Sequence, residues 1–156
     1  MRTAYVELNA SNQICSLAPG TGNNAFSYMG ITMFPCITLT SLPELLRMDY
    51  DYFILDMGVL NTYSAREFIK CEKQFLVCSL SKWRKKRTLE KLEKLQIDFT
   101  HNRKILRILG CGSEKESNLS LSKGPTFKTV PIPFIPNPFH LPLELFSFFR
   151  KILGVY

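Results

Sequence analysis

One carboxylate and one glycine in the N-terminal half of the chain are spaced as magnesium and phosphate chemistry requires. Asp56 ends the apolar run at residues 52–56, and Gly58 follows two residues later. A carboxylate at the carboxyl end of a buried strand can hold Mg²⁺ through water, and a nearby glycine lets a loop move beside a terminal phosphate. The same pattern also fits an aspartate that simply caps the loop after a buried strand.

A run of cationic residues around a tryptophan is the second group that could do chemistry. It concentrates seven of the twenty basic residues on one predicted helix. Such side chains can bind phosphates while the indole stacks on a base, or they can lie on an anionic surface. In the alternative interpretation the helix face is only solvated, Glu90 pairs with two of its lysines and Trp83 packs on the sheet. The run consists of Lys82, Trp83, Arg84, Lys85, Lys86 and Arg87, and Lys91 and Lys94 continue it.

Other familiar catalytic patterns are missing from the sequence. The eight glycines include no Gly-x4-Gly-Lys-Ser/Thr pattern, so no backbone cradle and no phosphate-binding lysine can be assigned. The Gly-x-Gly-x-x-Ala match at residues 20–25 precedes no convincing helix, and we interpret it as a flexible surface loop. The five cysteines are irregularly spaced and the two histidines have no partner nearby, so the sequence indicates neither a metal site nor a catalytic nucleophile.

Composition and charge describe a basic globular chain. Its 156 residues, 46% of them hydrophobic, suffice for a single domain over residues 1–156 with a real core. The formal net charge of +7 favours anionic partners such as nucleic acid, anionic lipid or acidic protein. The odd number of scattered cysteines predicts a reducing, cytoplasmic compartment, and we see neither a leader nor an apolar run long enough to span a membrane.

Strand and helix patterns alternate along the chain. Apolar or β-branched runs between turn signals predict strands at residues 3–8, 31–34, 52–56, 74–79, 104–109 and 127–132. Capping and periodicity predict helices at residues 41–48, 64–71, 81–95 and 142–153, with a polar loop or weak helix at 114–122. This alternation predicts an α/β fold with a mainly parallel sheet flanked by helices.

The predicted closing helix at residues 142–153 is apolar around most of its circumference. A core helix that closes the sheet explains this composition. Arg150 and Lys151 near its end also allow a peripheral membrane contact, in which the helix lies on an anionic surface.

Several strand segments resemble those of the ParA/MinD-type P-loop ATPases. The match covers residues 3–9, 50–58, 75–79 and 130–134. In that family an acidic residue ends the strand that resembles the first segment, and an aspartate like Asp56 occupies the Walker B position. The resemblance implies a P-loop NTPase-like three-layer sandwich. It also implies that the remnant of a nucleotide and magnesium site is marked by Glu7, Asn9, Asp56 and Gly58.

The chain departs from this family at the phosphate-binding end. The family's lysine-bearing glycine loop and its first, central strand would precede residue 3, and the sequence contains neither. In the family that strand lies between the strands that resemble residues 52–56 and 75–79, so its loss would open a gap in the sheet. Either these two strands pair directly, or the chain is a fragment of a longer ATPase-like protein.

Three functional hypotheses follow from these features. The first is a degenerate, non-catalytic ParA/MinD-like domain that acts as an interaction or regulatory module without a cofactor. The second is the C-terminal portion of an active ParA/MinD-like ATPase, to which Mg-ATP would bind once a Walker A segment is supplied. The third is a basic nucleic-acid-associated protein that uses the Trp83 helix.

Overall fold

The computed structural model describes residues 1–79, 81–94, 106–111, 117–120, 126–135, 137 and 140–154. Within these residues the protein is mixed α/β, with two mostly parallel four-stranded sheets flanked by helices, and the predicted fold class is confirmed at this level. The chain divides into two compact units, Met1–Ser64 and Ala65–Tyr156, and each contains one sheet. The single domain over residues 1–156 stays a prediction.

The first sheet is centred on its first strand. Its strands are β1 (Thr3–Glu7), β2 (Phe26–Tyr28), β3 (Ile31–Phe34) and β4 (Tyr52–Asp56). They lie in the order β2-β3-β1-β4, in which β1 pairs in parallel with β3 and β4, and β2 is antiparallel to β3. Because parallel strands end at the same side of a sheet, the loops after β1, β3 and β4 meet at one edge.

The core of the first unit lies against one face of β1. Ala4 and Val6 are completely buried there, and alternation along the strand places Tyr5 and Glu7 on the other face. A short helix, α1 (Leu42–Leu45), supplies two leucines to this core. The buried cluster consists of Ala4, Val6, Phe34, Leu42 and Leu45.

The second sheet has the same plan of parallel strands with one antiparallel edge. Its strands are β5 (Gln74–Ser79), β6 (Leu106–Cys111), β7 (Ser117–Ser120) and β8 (Thr126–Pro131). They lie in the order β5-β6-β8-β7, with β7 antiparallel to β8. The helices that follow β4, β5 and β8 along the chain are α2 (Thr62–Phe68), α3 (Lys82–Lys94) and α4 (Glu144–Leu153).

One hydrophobic cluster of the second unit draws its buried side chains from three elements. Leu92 of α3, Ile108 of β6 and Leu119 of β7 form this cluster. Partly buried hydrophobic residues such as Leu76 and Phe127 pack against them. One apolar stripe of α3 therefore packs against the core, and Arg84, Lys86, Arg87, Lys91 and Lys94 are exposed.

Two short strands contradict the sequence predictions. The segment at residues 114–122 contains β7, where the sequence predicts a polar loop or weak helix. β7 has four residues and one apolar side chain, Leu119, which is too little to show the alternation typical of a strand. The second strand missed, β2, follows the loop at residues 20–25 and forms a hairpin with β3. Met29 and Gly30 connect the two strands with φ angles of 49° and 79°. Positive φ at both central positions is typical of a type I′ hairpin turn, which more often has asparagine before the glycine.

The other predicted elements are present: β3, β4 and β5 have the predicted bounds, and the bounds of the rest are shifted. Among the described strands, β4 pairs only with β1, and β5 pairs only with β6. β4 and β5 belong to different units, and the direct pairing of these two strands stays a prediction. No helix in the part of the chain that the structure describes is long and apolar enough to cross a membrane. Residues 95 and 104–105, at the ends of two predicted elements, lie outside the described residues.

Candidate functional site

The carboxyl edge of the first sheet brings together the four residues predicted at the remnant nucleotide site. Glu7 and Asp56 occupy matching positions in the parallel register of β1 and β4. The Leu8 backbone N–H donates to the Asp56 carbonyl at 2.8 Å, and Asn9 Nδ2 donates to the same oxygen at 3.4 Å. Gly58 lies against the Asn9 side chain. We call Glu7, Asn9, Asp56 and Gly58 the carboxyl-edge cluster.

Glu7 is completely buried, and its carboxylate is occupied by the surrounding loops. Its Oε1 accepts hydrogen bonds from the Ser11 hydroxyl and from the Gln13 backbone N–H, both at 2.9 Å. Its Oε2 accepts one from the Cys36 backbone N–H at 3.4 Å. A buried carboxylate is tolerated only when such donors satisfy it. Glu7 therefore joins the loops after β1 and β3, and a ligand would have to displace its donors.

Asp56 is likewise bonded within the chain. Its Oδ2 accepts a 2.6 Å hydrogen bond from the Tyr5 hydroxyl, and its Oδ1 accepts one from the Gly58 backbone N–H at 2.9 Å. Burial raises the pKa of Tyr5 well above its ordinary value; the hydrogen bond to Asp56 and the charges of Asp56 and Glu7 raise it further. The phenol therefore stays protonated and remains a donor to Asp56.

Gly58 is required for a reason that the sequence pattern did not indicate. Its φ angle is +59°, in the left-handed region. A Cβ atom added there would lie 2.8 Å from the Asn9 Cβ, closer than two carbon atoms pack. The glycine thus allows the loop after β4 to approach the loop after β1.

The chemistry open to the cluster is limited by these internal bonds. Both carboxylates accept hydrogen bonds from their own loops, so binding of hydrated Mg²⁺ would require at least one donor to be exchanged for a metal-bound water. Within the described residues, no group of three or more His, Cys, Asp or Glu side chains is arranged to hold a metal ion. The geometry fits a structural junction between three loops.

Two thiols that the sequence analysis did not connect lie beside Glu7. Cys15 is in the 3-10 turn Ile14–Leu17, and Cys36 follows β3. The Cys15 Sγ lies 2.6 Å from Asn12 Oδ1, and the Cys36 Sγ lies 3.3 Å from the same oxygen. Asn12 and Cys36 both have left-handed backbone, with φ angles of 55° and 50°. Only the pairing of β1 with β3 brings these loops together, so spacing in the sequence carried no signal.

The cationic helix α3 exposes its tryptophan. Trp83 is 80% exposed, so the interpretation in which it packs on the sheet is wrong. The Arg84 guanidinium carbon lies 5.5 Å from the centroid of the indole ring, within the range of a cation–π contact. Lys86 and Arg87, in the next turn, are also exposed. Lys82 begins the helix, and Lys85 Nζ donates to the Asn118 carbonyl at 3.3 Å.

A shallow pocket lies along the same helix. It has a volume of about 400 Å³ and is lined by Arg84, Arg87, Thr88 and Lys91. The Thr88 hydroxyl donates to the Ser79 carbonyl at 3.2 Å. The predicted pairing of Glu90 with lysines of this helix is absent from the ion pairs of the described residues. The pocket thus presents three cationic side chains, those of Arg84, Arg87 and Lys91.

The C-terminal helix α4 has one anchored side and one exposed apolar side. Ile152 is buried, and Phe148 and Phe149 contact each other edge to face, with ring centroids 5.3 Å apart. Leu143 precedes the helix at 82% exposure, and Phe146 is 48% exposed. This arrangement fits a helix held by one stripe while another stripe stays open. His140 lies in the exposed segment before it, and His101 lies outside the described residues.

The described residues form a mixed α/β protein. In it, Glu7 and Asp56 accept hydrogen bonds from their own chain, and α3 exposes a tryptophan and several cationic side chains. No protein-family model matches the chain, and no curated protein matches it.

Proposed function

We propose that this chain is a non-catalytic module of ParA/MinD-like descent that acts by binding an anionic partner, single-stranded nucleic acid, through α3. The descent, and a P-loop NTPase-like three-layer sandwich without its first strand, are proposed from the sequence resemblance. The internal bonding of Glu7 and Asp56 supports the non-catalytic part, because both carboxylates accept hydrogen bonds from their own chain. In an interaction module without a cofactor, the carboxyl-edge cluster only has to hold the three loops together.

The observation that carries the binding part is the exposed Trp83 beside Arg84 at the start of the cationic helix. A base can stack on an indole, and stacking contributes about 1–3 kcal/mol per base. Phosphates on either side of that base would meet Arg87 and Lys91, which line the adjacent pocket. The indole can stack on a base and the cations can contact phosphates, and these are the two kinds of contact by which proteins bind single-stranded nucleic acid without sequence preference.

Binding of a labelled single-stranded oligonucleotide, followed by fluorescence anisotropy across a salt series, tests this proposal. Each neutralised phosphate contributes about −0.7 to the slope of log K against log salt, so a surface that contacts about four phosphates gives a slope near −3. The double variant Lys86→Glu/Arg87→Glu should flatten the slope and weaken binding. Arg47→Glu/Arg66→Glu, at two exposed cations outside α3, changes the net charge by the same amount and should have little effect.

The tryptophan needs its own variant. Trp83→Ala should weaken binding about tenfold or more without changing the salt slope, because it removes stacking and no charge. Tyr63→Ala removes an aromatic side chain of similar exposure, 79%, outside α3 and should have no effect. Absent binding, or binding that does not depend on salt, would contradict the proposal.

A second candidate is the C-terminal portion of an active ATPase, which the resemblance of residues 50–58 and 75–79 to ParA/MinD-type strands supports. In that family a central strand precedes the segment that resembles residues 3–9. In a longer form, that strand and a lysine-bearing glycine loop would supply the Mg-ATP site. Calorimetric titration of this chain with Mg-ATP should give no heat of binding. Micromolar affinity would overturn the non-catalytic proposal.

A further inference from the structure

Cys15 and Cys36 lie together although 20 residues separate them along the chain. Their sulfur atoms converge on one acceptor, Asn12 Oδ1, at 2.6 Å and 3.3 Å. Cys15 Sγ also lies 3.2 Å from the Gly22 carbonyl, so this thiol has two acceptors within its own loop. Because both sulfur atoms contact the same oxygen, they lie no more than about 6 Å apart, and rotation about the side-chain bonds is the movement that would join them.

The backbone beneath the two thiols is held by Glu7. Its Oε1 accepts the Gln13 N–H, two residues before Cys15, and its Oε2 accepts the N–H of Cys36 itself. The Glu7 carbonyl also accepts the Ile37 N–H at 2.8 Å. One completely buried residue thus positions both cysteine-bearing loops, so their proximity is built into the fold and does not depend on a flexible tail.

We propose that Cys15 and Cys36 form a redox-sensitive pair that an oxidised low-molecular-weight thiol, such as glutathione disulfide, converts to an intramolecular disulfide. In the first step one cysteine thiolate attacks a sulfur of glutathione disulfide, forming a mixed disulfide and releasing one glutathione thiolate. In the second step the other cysteine thiolate attacks the protein sulfur and releases the second glutathione. The protein loses two protons and two electrons, and one glutathione disulfide becomes two glutathiones. This inference does not depend on the proposed function.

The surroundings of the pair determine how fast it reacts. Burial raises the pKa of the Cys15 thiol, and the neighbouring Cys36 and Glu7 raise it further. The thiolate fraction is therefore small at neutral pH, and exchange should accelerate as the pH rises. Both side chains are only partly buried, so a small disulfide can reach them. The pair is suited to slow, reversible oxidation.

Another pair of cysteines offers a control within the same chain. Ser79 and Cys111 are matched in the register of β5 and β6, so Cys78 and Cys111 are one position apart on neighbouring strands. Side chains one position apart leave a sheet on opposite faces. Burial, and to a smaller extent the neighbouring Cys111, raise the pKa of Cys78 to about 11. Cys78 and Cys111 should therefore not bridge, although their strands are adjacent.

The experiment uses the full chain equilibrated with glutathione disulfide at pH 8, quenched with iodoacetamide and digested without reductant. Chymotrypsin cuts between the two cysteines at Phe26 and Tyr28, so an internal disulfide appears as two linked peptides that dithiothreitol separates. We expect that fragment for Cys15 and Cys36, with alkylatable thiols falling from five to three per chain. Cys78→Ser/Cys111→Ser should form the same fragment.

Single variants separate a bridge from independent modification. In Cys15→Ser, Cys36 should carry one glutathione that is not displaced, and in Cys36→Ser the same should hold for Cys15. Circular dichroism of each variant confirms that it is folded. The proposal fails if the wild-type chain gives no linked fragment, if each cysteine carries its own glutathione, or if Cys15 or Cys36 links two copies of the chain.

Discussion

The Tyr5 hydroxyl donates a 2.6 Å hydrogen bond to Asp56 across neighbouring parallel strands. This contact ties the side chains of β1 and β4 together just before the strands end, where the loops of the carboxyl-edge cluster begin. It gives Asp56 a structural partner in the position where the family resemblance implies a metal ligand.

Removal of the Tyr5 hydroxyl should lower stability. Tyr5→Phe leaves a partly buried carboxylate short of one donor, and hydrogen bonds to charged groups contribute about 1.5–3 kcal/mol. We expect a decrease of that size in the free energy of unfolding, measured by urea denaturation. Tyr63→Phe, at a tyrosine that is 79% exposed, should be neutral.

The raised pKa of Tyr5 also predicts a dependence of stability on pH. The folded chain holds the phenol proton more tightly than the unfolded chain, in which Tyr ionises near 10.0. The contribution of Tyr5 is therefore fully present below pH 10 and is lost as the pH rises above it. The stability difference between wild type and Tyr5→Phe should shrink from pH 9 to pH 11 in urea titrations. A constant difference would contradict the assignment.

Neutralisation of Glu7 should weaken the loop junction. Glu7→Gln replaces one acceptor oxygen by an NH₂ group, which would face a backbone or hydroxyl donor. We expect a loss of about 1–3 kcal/mol in urea denaturation. Glu44→Gln, at an exposed glutamate of α1, is the control and should have little effect. Equal stability of Glu7→Gln and wild type would show that the buried bonds are not important for folding.

Gly58 has a matched control in Gly22. Their φ angles are +59° and +58°, but an added Cβ meets Asn9 only at Gly58, and at Gly22 it meets nothing within 4 Å. Gly22→Ala should therefore cost about 1 kcal/mol for backbone strain alone, and Gly58→Ala about 2–4 kcal/mol. Asn9→Gly should recover part of the loss in the double variant. If the two variants lost the same free energy of unfolding, the contact between Asn9 and residue 58 would not contribute to the requirement for glycine.

The two sides of α4 should differ in their contribution to stability. Ile152 is 6% exposed and Leu153 is 40% exposed. Ile152→Ala should cost about 2–4 kcal/mol because it opens a cavity, and Leu153→Ala less than about 1 kcal/mol. Thermal and urea unfolding measure both. Similar small losses would indicate that α4 does not close the core.

The exposed side of α4 permits a direct test of peripheral membrane contact. Sedimentation with vesicles that contain anionic lipid compares wild type with Leu143→Asp/Phe146→Asp, which changes two exposed apolar side chains. If wild type sediments with the vesicles and the variant does not, the membrane contact is made by α4. Because the buried stripe explains much of the helix, we expect wild type and variant to sediment equally.

Much of the secondary structure could be predicted because it depends on local patterns. The run at residues 52–56 is apolar and bounded by turn residues, and it forms β4. β2 could not be recognised, because three residues carry little periodicity and its Met-Gly turn lacks the usual asparagine. β7 was missed since Leu119 alone indicates its buried face.

The sequence by itself determined the α/β class and the cationic helix, and its resemblance to a family marked the four residues of the carboxyl-edge cluster. These depend on residue types and on order along a parallel sheet. Only the tertiary structure decided what those residues do: Glu7 and Asp56 accept bonds from their own chain, Trp83 is exposed, and Cys15 meets Cys36. The physical reason is that hydrogen-bond partners, exposure and thiol proximity are set by strands and loops far apart in the chain, which no local spacing encodes.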